Sequence, residues 1–152
     1  MLFGLRRQGV GLTSVVLHTG LSSYLDDDLD ARHLVPEEEY HVSREAAEAI
    51  NATRTAGGRI VAVGTTVVRA LETVADAGGR VRPGHGVTRL RITAETPPRA
   101  CDGLLTGLHE PEASHLDLLT AFAPAAVIQE AYAEAVERGY LWHEFGDLNL
   151  IL

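Results

Sequence analysis

The stretch GGRIVAVGTTVVRALE, residues 57–72, constrains the chain more than any other. A run of β-branched residues stops at Gly64-Thr65-Thr66, and apolar residues then resume at helical spacing. RIVAVG is a short continuous apolar run, the type of strand buried on both faces of a parallel sheet. TTVVRALETVADAGG follows as a helix closed by Gly78-Gly79. Upstream, Ser43 opens a helix as N-cap with Glu45 in its first turn. Ala46, Ala49, Ile50 and Thr53 form its apolar face, and Gly57-Gly58 ends it. Helix, strand and helix joined through glycines predict an α/β unit. A strand that feeds straight into a helix also aims backbone N–H groups and hydroxyls beyond its own end. There they receive a ligand oxygen or cap the helix.

The other segments arrange themselves around this unit. Residues 1–9 read as the tail of a helix, with arginines late and a glycine stop, and residues 12–18 as a β-branched strand. Residues 19–41 are acidic and unpatterned, a long loop ending near a short extended piece; Asp26, Asp27 and Asp28 form a solvated surface within it. GVTRLRIT alternates as a half-exposed strand does, and ACDGLLTG is another short strand. Residues 114–122 and 125–138 read as two helices interrupted at Pro124, and YLWHEFGDLNLIL as a turn and a terminal strand. The prediction is a single α/β domain over residues 1–152, its sheet mixed but largely parallel, with flanking helices.

Composition narrows the function. The 152 residues suit one domain, and 45% hydrophobic content is enough for a core. A formal net charge of −8 argues against this chain alone gripping a phosphate backbone. All 13 basic residues are arginine, a codon-bias signature rather than a selected surface. The single cysteine, Cys101, excludes an internal disulfide and an all-cysteine metal site, and reads as a small buried residue entering a strand. No apolar run approaches the roughly 18 residues needed to span a bilayer, and no signal-peptide pattern is present, so the expected location is cytoplasmic.

Four strand ends carry polar residues. At Gly64-Thr65-Thr66 the helix N-terminus favours an anion, and Arg69, one turn on, can fork onto a carboxylate. A plainer arrangement has Thr65 capping the helix and Arg69 paired with Glu72 or Glu45. In LLTGLHEPEASHL, residues 104–116, a proline-containing turn crowds together His109, Glu110, Glu112, Ser114 and His115. Imidazoles at a strand end suit acid–base work; the spacing is not that of a zinc site, and Ser114 also fits as an N-cap. His18 ends the first strand and is followed by Gly20, Ser22 and Ser23. Asp147, after Gly146, sits at the mouth of the last strand, able to accept from an amine or hydroxyl. Tyr140, Trp142 and Phe145 lie nearby as stacking or packing aromatics. Together these strand ends predict one pocket along a sheet edge.

INATRTAGGRIVAVGTTVVRALE, LLTGLHEPEASHLDLLTAF and GYLWHEFGDLNLIL resemble, in order and spacing, successive blocks of the S-adenosylmethionine:tRNA ribosyltransferase-isomerase family of queuosine biosynthesis. VVLHTGLSS is similar to that family's histidine-glycine segment. The resemblance covers nearly all of this chain and the C-terminal half, or slightly less, of the family's usual protein. It implies the α/β portion of a two-domain fold, here without the β-barrel domain. It also implies S-adenosylmethionine as ribosyl donor and co-substrate, with no separate cofactor and no metal. The implied reaction moves the ribosyl moiety onto 7-aminomethyl-7-deazaguanine in tRNA. A base removes the C5′ proton, adenine leaves, the aminomethyl nitrogen attacks, and epoxide closure expels methionine. On the matching positions His18 or His109 would be the base. Gly64, Thr65 and Thr66 would contact ribose or carboxylate oxygens, and Arg69 the methionyl carboxylate. Glu112 and Ser114 would line the substrate site, and Asp147 would orient the amine or an adenine edge. Gly107-Leu108-His109 stands where the family has Asn-Phe-His, and Arg89 where it has an aspartate, as in a divergent branch. Transfer RNA would be reached only through a missing domain or a partner chain, and uncovered sheet edges favour self-association or a partner subunit. The alternatives are a truncated, non-catalytic or partner-dependent subunit, and a relative acting on a small-molecule acceptor.

Overall fold

The computed structural model describes residues 2–19, 37–109 and 116–152. Helix α1 (Leu2–Arg7) carries Arg6 and Arg7 in its last turn, where cations favour the helix dipole. Strand β1 (Val16–Thr19) begins later than the β-branched run predicts. It pairs antiparallel with β2 (Glu38–Val42), the extended piece at the end of the acidic stretch, and β2 pairs antiparallel with β4 (Gly84–Thr88). The second sheet has order β3-β5-β6. In it β3 (Val61–Val63) runs parallel to β5 (Gly103–Gly107), and β6 (Leu148–Ile151) antiparallel to β5.

The mixed α/β class stands, but the largely parallel sheet does not: of the four described ladders, only β3–β5 is parallel. The reason lies in β2 and β4. Their short segments alternate between buried and exposed residues, the pattern of antiparallel strands with one face in water.

Helix α2 (Arg44–Thr55) follows its sequence signals closely. The Ala46 N–H donates to Ser43 Oγ at 3.1 Å, and Ala46, Ala47 and Ile50 are buried. At its end the Gly57 N–H donates to Arg54 O and the Gly58 N–H to Thr53 O, with Gly57 at φ 78°. Helix α3 (Thr65–Val74) stops short of the expected Gly78-Gly79. Ala75 instead bridges to Val81, and the Asp76 carboxylate accepts from the Gly78 and Arg80 N–H groups at 3.0 Å each. The two glycines therefore shape a turn rather than a helix cap. Helices α4 (Leu116–Leu119) and α5 (Ala125–Glu137) are divided at Pro124, and a 3-10 turn (His143–Phe145) leads into β6.

The core gathers Val42, Ile50, Val68, Leu71, Leu104 and Leu119 between the sheets and helices. Glu72 is buried within it, and its carboxylate accepts from the backbone N–H groups of Arg99, Ala100 and Cys101 at 2.9, 2.7 and 3.3 Å. That satisfies the charge and pins the chain entering β5. Strand β3 departs from expectation: Ala62 is buried, but Val61 and Val63 are 41% and 63% exposed. Among the described residues, the helices cover only the Ala62–Leu104 face of this sheet.

Candidate functional site

Gly64 makes the junction between β3 and α3 possible. Its φ of 99° with ψ 143° suits only glycine, and its N–H donates to Leu105 O at 2.8 Å, so the ladder runs to the last residue before the helix. Gly64 is the N-cap and makes no side-chain capping bond, so Thr65 is not the cap. The first N–H groups of α3 have no intrahelical acceptor and point out past the carboxyl end of the β3–β5 pair, where open α/β sheets take ligands.

Thr66 and Arg69 turn toward the other sheet. Thr66 Oγ1 donates to Glu38 Oε1 at 2.9 Å, Arg69 Nε donates to Glu38 Oε2 at 2.8 Å, and the Arg69 NH2 nitrogen lies 2.5 Å from Oε1. Glu38 is 4% exposed. Arg69 is therefore paired with neither Glu72 nor Glu45, and two of its guanidinium nitrogens are engaged with a carboxylate from β2. Glu45 stays at the start of α2, where its own backbone N–H and then the Ser43 hydroxyl hold its carboxyl below the usual range. One turn further along α3, the Thr73 and Thr88 hydroxyls meet at 2.7 Å. The helix is thus clamped to β2 and β4 by polar contacts.

His109 and Asp147 lie at the same end of the second sheet as Gly64. β5 leads to His109, and Asp147 immediately precedes β6, the strand paired with β5. Three backbone bonds lace this end together: Leu108 N–H to Asp147 O at 3.0 Å, His143 N–H to Leu108 O at 2.7 Å, and Asp147 N–H to Trp142 O at 3.2 Å. Asp147 Oδ2 accepts from the Leu141 N–H at 2.5 Å, so half of the carboxylate holds the turn. Trp142 has φ 69°, an unusual value for a non-glycine residue, and directly precedes His143.

Nothing in the sequence singles out His143. Its ring stacks on that of His109 with centroids 4.0 Å apart and planes at 23°. Its Nδ1 is buried with no hydrogen-bond partner among the described residues. A Cβ at Gly107 would come within 2.5 Å of His143 Cβ and 3.1 Å of His109 Nε2, so the stack needs a glycine there. The pairing of β6 with β5 creates this neighbourhood; 34 residues separate the histidines in sequence, and no local spacing signals it.

Among the described candidates, His18 does not join this group. In the β1–β2 ladder His18 lies opposite Glu39, while Glu38 lies opposite Thr88 in the β2–β4 ladder. Alternation therefore puts His18 on the exposed face, away from Glu38 and α3. Glu112 and Ser114 fall outside the described residues. Among the described residues no group of three or more His, Cys, Asp or Glu is placed to hold a metal ion. None of the described helices is long and apolar enough to cross a membrane. Cys101 is buried, and burial, followed by the Glu72 and Asp102 charges, pushes its thiol up to about 12. It is a packing residue, not a nucleophile.

Comparison with known proteins extends over the whole chain. Residues 1–151 match the family model described as queuosine biosynthesis protein. An S-adenosylmethionine:tRNA ribosyltransferase-isomerase from Symbiobacterium thermophilum is 45% identical over 154 residues, covering all of this chain and 45% of its own length. The protein of the same name from Acidiphilium cryptum is 42% identical, covering 99% of this chain and 44% of its own. The crystal structure of an S-adenosylmethionine tRNA ribosyltransferase from Thermotoga maritima superposes with a TM-score of 0.78 at 37% identity, across 99% of this chain and 48% of that one. The chain thus spans about half the length of the relatives it matches, and it belongs to the queuosine biosynthesis protein family.

Proposed function

We propose that this chain supplies the S-adenosylmethionine-binding α/β half of a tRNA ribosyltransferase-isomerase of queuosine biosynthesis. The observation that carries this reading is the convergence of the Gly64–Thr66 helix start, His109 and Asp147 at one end of the β3-β5-β6 sheet, in a chain whose relatives bear that enzyme's name.

The donor's methionyl carboxylate sits over the N-terminal N–H groups of α3, with the Thr65 hydroxyl beside it. Arg69 is engaged by Glu38; it sets the position of Thr66 and adds positive potential rather than gripping the carboxylate directly. His109 is the base for the C5′ proton, which the adjacent sulfonium makes acidic. Asp147, with one oxygen committed to Leu141, turns the other toward the incoming amine. The reaction then runs through loss of adenine, attack by the aminomethyl nitrogen on the ribosyl carbon, and epoxide closure with release of methionine. S-adenosylmethionine is consumed as a co-substrate. With a net charge of −8, this half leaves the tRNA backbone to the remainder of the enzyme. The setting is the cytoplasm, where tRNA and S-adenosylmethionine meet.

Calorimetry with S-adenosylmethionine, followed by chromatography for free adenine, tests the proposal. Binding is expected for this half alone, and adenine release once the remaining half and the tRNA are present. Absence of binding under both conditions contradicts the assignment and leaves a non-catalytic remnant.

A further inference from the structure

The β3-β5-β6 sheet has one face in the core and one in the open. Register puts Val61, Val63, Leu105, Leu148 and Leu150 on the open face, together with Gly103 and Gly107. Val61, Val63, Leu148 and Leu150 are 41%, 63%, 52% and 55% exposed, and Leu152, two residues past Leu150, is 63% exposed. None of these positions is charged or polar. A sheet built to face water alternates apolar with polar side chains, and these strands do not. Their composition is that of strands covered on both sides, but the described helices cover one. The face also has a shape. A Cβ at Gly103 would meet Leu152 Cδ2 at 3.0 Å and one at Gly107 would meet His143 Cβ at 2.5 Å, so the open stretch is bounded at both ends of β5 and centres on Leu105, with Val63 and Leu150 opposite it on either side.

We infer that this face is the seat of an apolar-sided segment from the half of the relatives' length that lies outside this chain. The length relation favours that occupant over a second copy. The Symbiobacterium and Thermotoga proteins keep this half within chains of which it makes up 45% and 48%. The TM-score of 0.78 shows that it has the same fold in the Thermotoga protein. A wholly apolar sheet face in such a chain belongs inside, and the other half is the polypeptide at hand to cover it. The inference concerns packing and stands whether or not the catalytic roles above are right.

Thiol labelling tests it, because Cys101 is the chain's only cysteine and is buried. Val63→Cys and Leu150→Cys are made in the chain alone and in a chimera. In the chimera this chain replaces the matched segment of the Symbiobacterium protein, whose own accessible cysteines are changed to serine. Circular dichroism confirms that each variant is folded. The expected result is fast labelling of both positions in the chain alone and labelling at least about tenfold slower in the folded chimera, as for groups under a packed layer. Equal labelling in both overturns the inference. So does slow labelling in the chain alone accompanied by a dimer in light scattering that Leu150→Asp dissolves, since the occupant is then a second copy.

Discussion

Arg69 and Glu38 form a two-pronged ion pair that joins α3 to β2 across 31 positions of sequence, with Nε donating to Oε2 at 2.8 Å and NH2 lying 2.5 Å from Oε1. Side-chain exposure is 13% for the arginine and 5% for the glutamate, so both charges are largely removed from water. Losing one partner strands the other. Glu38→Ala is expected to destabilise the fold by roughly 3–5 kcal/mol. Replacing both, as Glu38→Leu with Arg69→Met, should recover most of that loss. Urea unfolding of the two variants beside the parent checks this; equal losses in both would show that the pair itself, not the stranded charge, carries the stability.

Gly64 should tolerate no other residue. A Cβ at this position would meet no atom within 4 Å, so the cost is backbone strain rather than collision. Gly64→Ala is expected to lower stability by about 1–3 kcal/mol, the usual cost of holding a non-glycine residue in such a conformation. It should also weaken S-adenosylmethionine binding, because the helix start moves. Thermal unfolding and calorimetry read the two effects separately.

His109 is the proposed base. In the chimera with the Symbiobacterium protein, His109→Ala should reduce adenine release about 100-fold or more while leaving donor affinity within a few-fold. An unchanged turnover removes His109 from that role.

Cys101 gives stability a dependence on alkaline pH. Its thiol ionises at about 12 in the fold, against a reference value of 9.0. Above pH 9 the unfolded chain releases this proton first, so the stability the thiol contributes is complete below about 9 and is lost as pH rises toward 12. The slope reaches at most about 1.4 kcal/mol per pH unit. Urea unfolding from mildly to strongly alkaline pH should show a shallower decline for Cys101→Ala than for the parent.

Legibility in the sequence falls with distance along the chain. The β3–Gly64–α3 junction, the Ser43 cap and the glycine stop at 57–58 are signals within a few residues, and the structure contains them. The helix expected to run to Gly78-Gly79 stops at Val74 because Ala75 is claimed by Val81, a pairing that helical periodicity does not encode. GVTRLRIT reads as one strand, but the ladder ends at Thr88, whose hydroxyl accepts the Leu90 N–H at 3.1 Å. The Arg69–Glu38 pair and the His109–His143 stack depend on sheet register across 31 and 34 positions, which no spacing reveals. His18 is a related case: it lies in the first strand as expected, but the ladder decides which face it occupies.

Donor binding at the carboxyl end of β3 and β5 is the central claim. Backbone amide NMR of the chain titrated with S-adenosylmethionine tests it most directly. The largest shifts are predicted at Gly64, Thr65, Thr66, Leu108, His109 and Asp147. Shifts confined to other regions, or none at saturating ligand, would contradict it.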